Sequence, residues 1–297
     1  MTAENLDNFQ YEPSSKHDSL ESRRHYWAVA IGLQAVDGLK VSKYAREVAE
    51  GYIAGKYSLE EAGDLVRMHY SSGNAETDVA KEADLVSQRI VELLSASPFH
   101  LSSEFLSEIH SYLFQDLDHD VYHPGEFKHE RMIKQEDILN GDSVLYADPS
   151  TYKMSLRAAF EREQEASYTY LEGDELDSFI RGIAFLWQIH PFYEGNTRTI
   201  AVFSELYLRY LGFKIGNEPF QSDARYYRDA LVRAVYRNPH ADAFPDFRFL
   251  TSFYERALGR SDSMPSREDM LVVRLFENPD LLRNVSANDA LSMRLEG

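Results

Sequence analysis

His190-Pro191-Phe192-Tyr193-Glu194-Gly195-Asn196-Thr197-Arg198 lies between two apolar stretches, Leu176 to Ile189 and Thr199 to Tyr210. The first is free of Pro and interrupted only by Gly182; the second is apolar at helical spacing. The pattern predicts a tight loop joining two buried helices, the centre of a mainly all-α fold. Taken singly, the loop residues read as helix punctuation: His190 satisfies a helix end, Pro191 stops the helix, and Glu194 to Asn196 make a surface turn. Taken together they form a phosphate-handling set. Gly195 and Asn196 can present backbone amides at a helix start, where unpaired N–H groups and the helix dipole attract anions. Arg198, one turn in, adds a forked and permanently charged donor. Glu194 beside an anion is repulsive unless a cation lies between, which suits Mg²⁺ (or Mn²⁺) bridging phosphate oxygens. His190 titrates near neutrality and is placed to take a proton from a hydroxyl.

The 297 residues are 43% hydrophobic, enough for a substantial core, and carry a formal charge of −18. That charge repels polyanions, and no Lys/Arg cluster offsets it, so nucleic acid is not an expected partner. A nucleotide bound with a divalent cation is different, because the metal neutralises it locally. No apolar run reaches the roughly 18 residues of a membrane span, and Met1 to Leu20 lacks a secretion-signal pattern. A cytoplasmic protein without membrane contact is expected. The absence of cysteine limits metal ligation to oxygen and imidazole donors.

Along the chain, 1–20 reads as a mobile tail and 21–72 as a helical module. Tyr26, Val29, Ala30 and Leu33 line one face there, and Ser42 and Ser58 are set to cap helices. Ser71 to Thr77 reads as a joint before a helix over Asp78 to Leu94. The main body spans 75–259, with helices near 101–115, 151–165, 174–189, 198–212, 223–237 and 245–259. A C-terminal helical extension, 260–297, follows. The strongest strand signal is Met132-Ile133 and Val144-Leu145-Tyr146 around Asn140-Gly141-Asp142, whose Asn-Gly favours a tight hairpin turn. Such a ribbon is marginal alone, so it is either propped on the bundle or kept as a mobile flap. Tyr226-Tyr227 reads better as core than as an adenine platform. Asp116-Leu117-Asp118-His119-Asp120 reads as a solvated loop.

The loop resembles the Fic family, whose hallmark is H-x-F-x-[D/E]-G-N-x-R, usually with Gly before the Arg and a second Arg three residues later. His190, Phe192, Glu194, Gly195, Asn196 and Arg198 match, and the likeness covers roughly residues 100 to 258. It implies a helical bundle with a small β-hairpin flap and a protein adenylyltransferase, moving AMP from ATP to a Tyr, Thr or Ser hydroxyl. It further implies His190 as general base, Phe192 as buried anchor and Glu194 as the Mg²⁺ ligand. Gly195, Asn196 and Thr197 would cradle the α- and β-phosphates, and Arg198 would neutralise the leaving pyrophosphate. Ile138, Leu139, Asn140, Gly141, Asp142, Ser143 and Val144 would form the flap that holds a target segment by strand addition. ATP and a hydroxyl-bearing protein are the implied partners; self-modification and a homo-oligomer stay open.

Two positions depart from the pattern. Thr197 adds a β-branched side chain to the cradle, and Ala201 replaces the second Arg, removing a cation that would share a helix face with Arg198. Leu39 to Tyr70 is also similar to the small antitoxins that silence Fic enzymes through [S/T]-x-x-x-E-[G/N]. The nearest match is Leu33-Gln34-Ala35-Val36-Asp37-Gly38, in which Asp37 and Gly38 hold the regulatory positions and the expected partner of Asp37 is Ala201. A weak or altered restraint on the nucleotide follows, unless Asp37-Gly38 is simply a helix-ending turn. The alternatives are UMP, phosphocholine or phosphate transfer, removal of AMP, or an idle binding module.

Overall fold

The structure, a computed structural model, describes residues 19–71, 79–96, 99–216 and 218–283. Almost all of the tail over 1–20, the joint over 71–77 and the last part of the C-terminal extension lie outside these residues. The helices are α1 (Leu20–Leu33), α2 (Lys43–Ile53), α3 (Leu59–Ser71), α4 (Lys81–Ala96), α5 (Ser103–Phe114) and the single turn α6 (His119–Tyr122). There follow α7 (Tyr152–Glu165), α8 (Asp174–Ile189), α9 (Asn196–Tyr210), α10 (Glu218–Ser222), α11 (Ala224–Val235), α12 (Arg248–Ala257) and α13 (Val273–Glu277). Among the described residues the fold is all-α.

The central element is α9, buried on every side from Asn196 to Leu208. A helix with no polar stripe can be stable only inside a core, and α4, α5 and α8 pack around it. The N-terminal helices join the same core. Tyr26, Trp27, Val29, Ala30 and Leu33 of α1 are all buried, and α1 lies against α4 and α10. Gly32 permits that second approach, since a Cβ there would meet the Phe220 carbonyl oxygen at 2.2 Å. Ser42 accepts from the Ala45 amide at 3.0 Å and starts α2. Ser58 and Glu61 exchange hydrogen bonds of 3.1 and 2.7 Å, a reciprocal box that starts α3. Buried Asp84 of α4 accepts from the Ser42 amide at 2.8 Å and the Tyr70 hydroxyl at 2.5 Å, tying α2 and α3 to the body.

The flap segment doubles back where Asn140-Gly141 demands it, with φ of 53° and 87°, but among the described residues it forms no strand ladder. Ile138 and Leu139 are fully buried, and their insertion winds Asp137–Leu139 into a 3₁₀ turn. The Glu136 amide still donates across the turn to the Asp142 carbonyl at 3.1 Å and the Gly141 amide to the Glu136 carbonyl at 3.0 Å, while other polar groups bind the C-terminal segment. The Val272 amide donates to the Ile138 carbonyl at 3.0 Å, Asn140 Nδ2 to the Leu275 carbonyl at 2.9 Å, and Arg283 Nη2 to the Ser143 carbonyl at 2.6 Å. Of the two arrangements open to an isolated hairpin, this one is propped. Short helical turns over Glu268–Met270, Val273–Glu277 and Pro279–Leu281 form the prop. Among the described residues no helix is long and apolar enough to cross a membrane.

Candidate active site

Helix α8 ends at Ile189, and His190 turns the chain in the left-handed region at φ 50°, its amide donating to the Trp187 carbonyl at 3.0 Å. A residue with a Cβ pays roughly 1–2 kcal/mol for that conformation, so the surroundings must hold it. Lys128 does so from both sides, its amide donating to the Pro191 carbonyl at 2.8 Å and its Nζ to the Ile189 carbonyl at 3.3 Å. Phe192 is buried and stacked on His110 at 3.8 Å. The Gly125 amide donates to His110 Nδ1 at 2.9 Å, which leaves Nε2 as the donor to the Glu194 carbonyl at 3.0 Å. Burial pushes the His110 imidazole down to about 3, so it braces the loop as a neutral ring.

The cradle residues divide their labour. Asn196 closes the loop on itself, accepting from the Phe192 amide at 3.0 Å and donating to the Phe192 carbonyl at 2.8 Å. The Thr197 hydroxyl accepts from Trp187 Nε1 at 2.9 Å, so its branched side chain is tied to α8. What these residues can offer an anion is therefore backbone: the amides of Asn196, Thr197 and Arg198 fall in the first turn of α9, beyond reach of any earlier helical carbonyl.

His190 is 4% exposed, its ring stacks on Tyr146 at 4.0 Å, and both ring nitrogens are buried with no hydrogen-bond partner among the described residues. Burial, reinforced by Lys128, Lys134 and Arg228, holds it well below the ordinary histidine range. The ring is neutral, with a lone pair for a proton. Glu194 shows the opposite balance: burial works to raise its carboxyl, but Lys134, with Nζ 2.5 Å from Oε2, brings it below the usual range.

Asp37 has a partner other than the expected Ala201. The Arg198 side chain is buried, with Nε 2.8 Å from Asp37 Oδ2 and Nη2 2.8 Å from Glu82 Oε1. Gln34 Oε1 accepts from Nη1 at 3.3 Å, and the guanidinium lies over the Phe114 ring at 5.0 Å. Asp37 thus meets the loop's own arginine instead of the apolar Ala201, and its other oxygen lies 3.1 Å from Arg228 Nη1. Gly38, at φ 72°, ends the 3₁₀ turn Gln34–Asp37 that carries it. Arg228 continues the chain of charge, donating from Nη2 and Nε to the buried Glu136 beside the flap at 3.1 and 3.2 Å. An open cleft of about 480 Å³ lies among Asp37, Glu82, Lys134, Glu136, Glu194 and Arg228.

The fold therefore brings His190, Glu194, Gly195, Asn196, Thr197 and Arg198 into one loop and sets Asp37 against it. The turn residues Ile138 to Val144 stand beside the cleft through Glu136. Sequence reasoning missed Glu82, Lys128, Lys134, Glu136 and Arg228, isolated charges that no motif marks. Gln34 stood inside the quoted regulatory stretch, and its amide was the available signal. Tyr227 is core, 4.7 Å from Phe253, and the acidic run spends Asp118 on capping α6 and Asp116 on Arg89. Among the described residues no cluster of three or more His, Asp or Glu could hold a metal alone. No curated protein matches the chain. Residues 100–208, which contain the whole loop from His190 to Arg198, match the model of the Fic/DOC family.

Proposed function

We propose that this chain is a protein adenylyltransferase, moving AMP from ATP to a Tyr, Thr or Ser hydroxyl of a protein, and that the turn after α1 restrains it. The observation that carries the reading is the neutral His190 ring, without a hydrogen-bond partner among the described residues, in the same loop as the first-turn amides of α9. In this reading the acceptor hydroxyl gives its proton to a His190 nitrogen, and its oxygen bonds to the α-phosphorus. The bond from that phosphorus to the bridging oxygen breaks, and pyrophosphate leaves with the electron pair. The first-turn amides and Arg198 take up the developing charge. A single carboxylate suits Mg²⁺, which takes one or two protein oxygens and completes its shell with phosphate and water. Glu194 would hold it once Lys134 yields, and the ion would polarise the phosphates.

The restraint follows from Arg198. Asp37 and Glu82 occupy its nitrogens, so a phosphate must displace a carboxylate to reach it. Breaking a buried ion pair without replacement costs about 3–5 kcal/mol, and the arriving phosphate offsets that only after Asp37 has moved. Asp37→Ala is expected to raise self-labelling from α-labelled ATP about tenfold or more, each tenfold being about 1.4 kcal/mol. Adding His190→Ala should abolish it. Intact mass and radiolabelling read the outcome. Transfer of the γ label instead would establish phosphoryl transfer. Absence of any melting shift with ATP and Mg²⁺ in Asp37→Ala would leave an idle binding module, because a ligand that prefers the native state must stabilise it.

A further inference from the structure

We infer that Arg228 of α11 supplies the second phosphate-binding cation that position 201 lacks, so that a nucleoside triphosphate is held by a pair of arginines from two different helices. Ala201 is buried on α9 and offers no charge. Arg228 comes from α11 and lines the cleft. Its Nη1 is 3.1 Å from Asp37 Oδ1, while Arg198 Nε is 2.8 Å from Asp37 Oδ2. Two guanidinia thus converge on the two oxygens of one carboxylate. Each guanidinium meets the carboxylate with one nitrogen, and the anion held between the two charges marks where the oxygens of a terminal phosphate would meet both.

Three further features support the assignment. Arg228 lines the open cleft together with Lys134 and Glu194, whereas Arg198 is covered by its partners. Its Nε and Nη2 are held by Glu136 at 3.2 and 3.1 Å, so the guanidinium stays aimed at the cleft when Asp37 departs. The other cations around the cleft are engaged differently: Lys134 is on Glu194, and Arg225 is on the exposed Asp137. The competing role for Arg228 is that of a brace that neutralises Glu136.

The inference rests on the nucleotide reading above, and the experiment separates the two. Calorimetry with Mg²⁺ compares ATP and AMP binding in the full chain carrying Asp37→Ala and His190→Ala, which frees the cradle and prevents turnover. Adding Arg228→Gln is expected to weaken ATP about tenfold or more, as for loss of a charged hydrogen-bond donor, and AMP less than about threefold. Arg228→Lys should recover part of the loss. Glu136→Gln, which keeps the arginine and one acceptor to aim it, should weaken ATP less than Arg228→Gln does, with cooperative melting confirming the fold of each variant. Unchanged ATP affinity in Arg228→Gln, an equal loss for ATP and AMP, or the same ATP loss in Glu136→Gln overturns the assignment and leaves nucleotide binding standing. If the background binds neither nucleotide, the nucleotide reading falls and this inference falls with it.

Discussion

At Gly195 the backbone turns at φ 73°, and a Cβ there would lie 2.3 Å from the Phe114 ring that also underlies Arg198. Left-handed strain and overpacking act together, so Gly195→Ala should cost about 2–4 kcal/mol and lower the calorimetric melting temperature. The histidines beside it give a pH signature. His110, pushed down to about 3, and His190, held well below its ordinary value, stay neutral when folded but take protons in the unfolded chain below about pH 6.5. The unfolded state then binds more protons, so their contribution is complete above about pH 6.5 and is lost as pH falls toward 3. The slope is about 1.4 kcal/mol per unit for each ring. Urea melts between pH 7.5 and 5, above the range where Glu194 titrates, should show this slope, and His110→Gln should reduce it by about one ring's share. The loop was legible at this scale because nine adjacent residues carry its chemistry. The partners of Arg198 were not, since Asp37 and Glu82 reach it from separate elements.

Among elements, the helices followed from apolar spacing and from the Ser42 and Ser58 caps, both of which the structure uses. The flap did not follow as a ribbon. Ladder formation is a local expectation, but Ile138 and Leu139 are claimed by the core, and Val272, Leu275 and Arg283 engage polar groups of Ile138, Asn140 and Ser143. Those partners stand more than 120 residues away, beyond any local pattern. The clamp has a measurable strength. Arg283→Ala leaves the buried Asp142 with the Tyr236 hydroxyl at 2.6 Å but without its cation at 3.1 Å. Amide exchange over 136–144 should then quicken about tenfold, as for loss of about 1–2 kcal/mol of local stability, while α8 and α9 keep their protection. Equal quickening throughout would show that the segment opens only with the whole fold.

Across the whole molecule, the formal charge of −18 is spread over a body in which cations such as Arg198, Arg228 and Arg283 are committed to specific pairs. The surplus negative charge repels itself, and added salt shortens the reach of that repulsion from about 30 Å at 0.01 M to about 10 Å at 0.1 M. Sodium chloride should therefore raise the melting temperature by about 2–4 °C over that range; a fall would mean that the ion pairs outweigh the surplus. The chain has two tryptophans, and each is buried on one side of the restraint. Trp27 belongs to α1, the helix that ends in the Asp37 turn, and Trp187 is bonded to Thr197 at the opening of α9. The protein thus carries its own pair of optical reporters, one on the helix that leads into the turn that must move and one on the cradle that must stay. With Trp187→Phe the remaining emission follows movement at the first, and with Trp27→Phe it follows occupancy at the second.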